Sequence, residues 1–226
     1  MNVAPINFND NVKQSFGLSD KKKSMYSKTD RAIVASMTAL GTAASCAILA
    51  KRAGYSLKPS RMFKNIKNSY LSKVVYHDEQ VIPIGIGSAL GGLAGGYMID
   101  KNPANRKAKR RETIMQIGNV SIPILTVDFL SKKCKKYGKV AQACGAIGGI
   151  IGGVYLANFA MNKLNDLLFR SKTDRGIKAT DFSAHLDDTV VAASYISSSP
   201  IVHWIARIIP IALMCAGNEV GNKTAN

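Results

Sequence analysis

Charge is segregated along this chain, and that segregation limits the fold more than any other feature. Four stretches, 32–50, 81–99, 114–130 and 140–161, are almost free of ionised side chains, and segments dense in Lys and Arg separate them. The first two stretches hold 19 residues each and the fourth holds 22, with no charged residue in any of the three. A 19-residue helix rises about 28 Å, close to the ~30 Å hydrocarbon core of a bilayer. The mean hydropathy of the whole chain is near zero. That average conceals the pattern, because insertion into a membrane is decided segment by segment. The expected fold is all-α: a multi-pass membrane protein with about four spanning helices.

The intervening segments fill out the organisation. Residues 1–31 are polar and lack helical periodicity, as expected of a flexible tail. With these polar residues at the start no cleavable signal peptide is expected, since one would place its apolar core near the start. Between the first two spans, Met62, Phe63, Ile66, Tyr70, Leu71 and Val74 recur at helical spacing among Arg61, Lys64, Lys67 and Lys73. This predicts a basic amphipathic helix over 57–76, lying among headgroups or on the protein itself. Residues 162–188 are mixed in sign and read as a polar linker, with Thr180 or Asp181 capping a short helix from Phe182. A last apolar region, 189–217, is broken by Ser197, Ser198, Ser199 and Pro200 into a helical pair, and 218–226 forms a tail.

Lys and Arg number 31 against 14 acidic residues. Because these cations flank apolar runs, they point to anionic headgroups as the partner and away from nucleic acid. With four spans, one side carries 17 basic residues and the other 12, which places the N-terminus inside.

Glycine supplies the second strong pattern. Gly87, Gly91 and Gly95 repeat every fourth residue, as do Gly145, Gly149 and Gly153, and Ser88, Gly92 and Gly96 form a further stripe. Residues four apart share a helix face. Between helices in lipid, close backbone approach replaces the hydrophobic effect, and only small residues allow it. The second and fourth helices are therefore expected to pack together as glycine zippers. Such stripes also suit a homo-oligomer or contact with another membrane protein.

Candidate polar sites are few. Asp128 is the sole carboxylate within an apolar run, and with Gln116 and Asn119 it marks a candidate intramembrane polar site. Lys132, four residues on, is its natural ion-pair partner. Pro123 has no N–H for the carbonyl of Asn119, and Thr126 lies on the same arc. His203 and Arg207, one turn apart beside Trp204, form a candidate headgroup or anion contact, or an interfacial anchor. Asp181, His185 and Asp188 share a helix face, but lacking a further ligand they suit a cap and a surface ion pair better than a metal. Cys46, Cys134, Cys144 and Cys215 form no C-x-x-C pair and read as reduced, Cys134 lying between lysine pairs.

No phosphate-binding loop, nucleophile elbow or zinc-protease motif occurs, so neither an enzyme nor a cofactor is expected. These features favour a structural or assembly protein of a plasma or inner membrane. The rivals are a small channel or transporter using the third helix, and a membrane-disrupting protein of holin or toxin type.

Overall fold

The computed structural model describes residues 25–56, 78–172, 175–178, 181–182, 185, 189 and 209–225. Five helices order them: α1 Lys28–Arg52, α2 Asp78–Ile99, α3 Pro103–Cys134, α4 Lys139–Phe169 and α5 Ile209–Gly221. No strand occurs among the described residues. The first four helices are long and apolar enough to cross a membrane. The chain is an all-α, multi-pass helical membrane protein. The amphipathic helix expected over 57–76 and the break at residues 197–200 lie outside the described residues.

Each apolar run sits inside a longer helix, and the local chemistry explains the extensions. The Ser27 side chain accepts from the backbone of Asp30, whose carboxylate accepts from the backbone of Ser27, so α1 begins inside the expected tail. Asn102 caps α3 and Pro103 occupies its first turn, where a missing N–H is tolerated. At 32 residues α3 is about 48 Å long, and its first three turns stand outside the apolar run. Gly138, at φ 105°, separates α3 from α4. The second helix starts at Asp78, ahead of its apolar run, so Pro83 lies inside it beyond the first turn.

The helices pack as two hairpins, α1 with α2 and α3 with α4, joined through α2 and α3, while α5 lies mainly against α2. The expected pairing of α2 with α4 through their glycines is therefore corrected. A Cβ on Gly87 or Gly91 would collide with the α1 backbone at Gly41 and Met37, and one on Gly95 would approach Val34. On α4, Gly145, Gly149 and Gly153 press instead on Leu130, Val127 and Pro123 of α3. The similarity of the two stripes arises because each adjoins its own hairpin neighbour. The Gly92 and Gly96 face of α2 meets Gly217 and Gly221 of α5, and Gly85 meets Val120 of α3. Glycine thus recurs on several faces of α2 because that helix is flanked on several sides.

Where α2, α3 and α5 meet, Val81, Ile84, Val120, Ile124, Ile209 and Leu213 form a buried apolar cluster. The outside is apolar as well. Near the middle of each long run one large side chain faces outward: Leu40 is 62% exposed, Leu90 50%, Leu125 61% and Ile151 50%. In water, such a belt would be an aggregation surface; in hydrocarbon it is the natural exterior.

Candidate functional site

The polar residues converge at one end of the bundle. Tyr26, Asp100, Lys109, Glu112, Arg175 and Lys223 meet there, so the start of α1, the α2–α3 turn, the chain after α4 and the end of α5 share one side.

Glu112 stands on the protruding part of α3 and is 2% exposed. Arg175 lies against it, with Nη2 2.9 Å from Oε1. The same guanidinium grips Asp181 with both terminal nitrogens, at 2.8 Å each. Such bidentate pairing suits the planar fork of arginine. Asn162 of α4 fixes the Arg175 backbone, accepting from its N–H at 3.3 Å and donating to its carbonyl at 3.1 Å. Lys178 pairs with Glu219 of α5, and Lys223 lies 3.5 Å from Glu112. Three cations, Arg175, Lys178 and Lys223, therefore face three carboxylates, Glu112, Asp181 and Glu219. A buried cluster of ions is tolerable only when the charges are paired and hydrogen-bonded in this way.

Two of the expected polar-site residues join this cluster. Gln116 donates to Glu112 and to Glu219, at 3.1 Å each. Asn119 donates to Asp181 at 2.8 Å. The Asn119 carbonyl, which Pro123 cannot bond, lies 2.7 Å from His185 Nε2. Asp128 does not take part. It faces outward and pairs with Lys132 at 2.8 Å, with 41% of its side chain exposed. From Gln116 to Asp128 is 12 residues, about 18 Å along the helix, and Asp128 lies on a different face. Thr126 faces α4, donating to the Gly149 carbonyl at 2.7 Å.

Asp181 and His185 are each 1% exposed. The expectation that they form a surface pair in a polar linker is corrected: the segment folds back onto α3, and Phe182 packs against Val127, Ala146 and Ile150. Burial alone would raise the Asp181 carboxyl. Its Arg175 hydrogen bonds, the Lys178 backbone N–H and the nearby cations outweigh burial and hold it below the usual carboxylate range. Thr180, Asp188, His203 and Arg207 lie outside the described residues. Among the described residues no group of His, Cys, Asp and Glu could hold a metal ion.

A second buried cation closes the same end. Lys109 is fully buried, and its ammonium donates to the Gly221 carbonyl at 2.8 Å, the Lys223 carbonyl at 2.7 Å and the Tyr26 oxygen at 2.8 Å. These three acceptors saturate its three donors. Two of them are carbonyls at the end of α5, where a cation is favoured by the helix dipole. The Tyr26 hydroxyl passes a hydrogen bond on to Asp100. Burial would raise Asp100, but that hydrogen bond, the Asn102 N–H and Lys109 lower it. Gly96 leaves room for the lysine stem: a Cβ there would lie 2.8 Å from Lys109 Cδ.

Beside the charged cluster opens a cavity of about 700 Å³. Lys107, Arg111, Arg175, Lys178 and Lys223 line it, with Glu112 as the one carboxylate among the described residues.

No protein-family model matches this chain, nor does any curated protein or solved structure.

Proposed function

We propose that this chain is a structural or assembly component of a plasma or inner membrane and catalyses no reaction. The carrying observation is that the carboxylates of the buried polar cluster are already matched by neighbouring cations, leaving no poised acid or base. A static lock of this kind suits a scaffold, whereas proton or cation handling requires groups that exchange partners. Its glycine stripes act as zippers that hold the two hairpins and α5 together. The remaining stripe on α4, Gly148 and Gly152, is one where an added Cβ would meet none of the described residues within 4 Å, and it suits contact with a second copy or another membrane protein. Anionic headgroups attract the basic ends.

A channel or transporter is the second reading, favoured by the placing of Gln116 and Asn119 in an ionic cluster deep between helices. Reconstitution into liposomes loaded with proton- and chloride-sensitive dyes separates the two. A scaffold leaves ion flux at the level of protein-free vesicles. Protein-dependent flux that Gln116→Leu abolishes would overturn the scaffold reading.

A further inference from the structure

Among the described residues, the charge around the cavity does not balance. Arg175, Lys178 and Lys223 are matched by Glu112, Asp181 and Glu219. Lys107 and Arg111, one turn apart on α3, add two further cations to the same wall. Lys107 has no carboxylate partner among the described residues. Arg111 uses Nη2 on the carbonyl and hydroxyl of Ser171 and lies over the Phe169 ring. Its Nε is buried without a hydrogen-bond partner. Asn165, fully buried and on the cavity wall, donates through Nδ2 to the Arg111 carbonyl at 3.2 Å and so holds the backbone at Arg111, while its Oδ1 can only accept. Buried polar atoms in folded proteins are nearly always bonded, so the unpartnered Arg111 Nε, a donor beside this basic cavity, is matched by a ligand that offers acceptors.

We propose that the cavity binds a phosphate group, with Lys107 and Arg111 neutralising it and Lys223 closing its far side. A phosphate monoester carries nearly two negative charges and several acceptor oxygens, matching two uncompensated cations. Arg111 precedes the apolar run by three residues, so the cavity opens at the depth where lipid phosphates lie, while Met115 and Ile177 give it an apolar wall. The phosphate could therefore come from a lipid headgroup or from solution. This inference does not depend on whether the protein is a scaffold or a channel.

Thermal melting of the purified full chain in neutral detergent tests the site, because a ligand that binds the folded state raises Tm. Inorganic phosphate is titrated against chloride at matched ionic strength. Dioctanoyl phosphatidic acid is titrated against dioctanoyl phosphatidylcholine. A rise with phosphate supports a solution ligand, and a rise with phosphatidic acid alone supports a headgroup. Lys107→Gln and Arg111→Gln should each weaken the effective ligand about tenfold, as expected for loss of one charge-assisted hydrogen bond. Lys101→Gln, exposed at the same end but away from the cavity, should leave binding unchanged. If Arg111→Gln fails to fold, Lys107→Gln carries the test. No rise with either ligand, or binding unaltered by Lys107→Gln, would overturn the proposal.

Discussion

Arg175 serves three carboxylates at once, lying against Glu112 and Asp181 and within 3.8 Å of Glu219. Arg175→Met would take the nearest cation from two buried carboxylates and should lower stability by about 3 kcal/mol, measured by unfolding of the detergent-solubilised protein. Lowered carboxyls at Asp100 and Asp181 also give an acid dependence. Their folded values lie below the unfolded value of about 3.9, so their contribution is complete above that pH and is lost as pH falls through the folded values. Melting temperature should accordingly drop on acidification below about pH 4, and Asp181→Asn should flatten that limb. A wild-type melting temperature unchanged down to pH 2 would contradict the ionised pairing. Part of this chemistry was legible in sequence. Gln116 and Asn119 stand out as polar residues in an apolar run, and Pro123 marks the Asn119 carbonyl as available. Arg175 was hidden, and Asp181 was legible only as a cap or surface ion, because a segment balanced in sign looks like solvated linker until its ions are placed against Glu112. Glu112 itself was masked by the basic residues that precede it.

Among the elements, the long helices were readable from uncharged runs, but their ends were not. Basic side chains can continue a helix past the hydrocarbon while their charges remain in water, so α3 and α4 run further than their apolar cores. Pairing was harder still. A glycine stripe shows that something approaches closely, yet it does not say which helix, and here α1 supplies Gly41 and Ser45 opposite Gly87. Those two small residues, four apart in α1, were the overlooked sequence signal. The two α4 stripes now make opposite predictions. Gly149→Val places new atoms against the Val127 backbone and should destabilise the protein by about 1–3 kcal/mol. Gly148→Ala meets nothing within 4 Å among the described residues and should be neutral or stabilising by up to about 1 kcal/mol. Parallel melts of the two variants check this, and equal destabilisation would contradict the assigned faces.

At the scale of the whole molecule, polar matter collects at one end and apolar side chains ring the middle. Lys109 ties α3 to the end of α5 and to the start of α1, while Arg175 ties the chain after α4 back to α3. This arrangement makes sense only if hydrocarbon covers the ring formed by Leu40, Leu90, Leu125 and Ile151. Nitroxide labels at those four positions in lipid vesicles, compared with a label at Lys101, test it by collision with oxygen and with a water-soluble nickel chelate. The four ring positions should be accessible to oxygen and shielded from nickel, and Lys101 should show the reverse. Nickel accessibility at the ring positions equal to that at Lys101 would contradict the membrane-spanning fold.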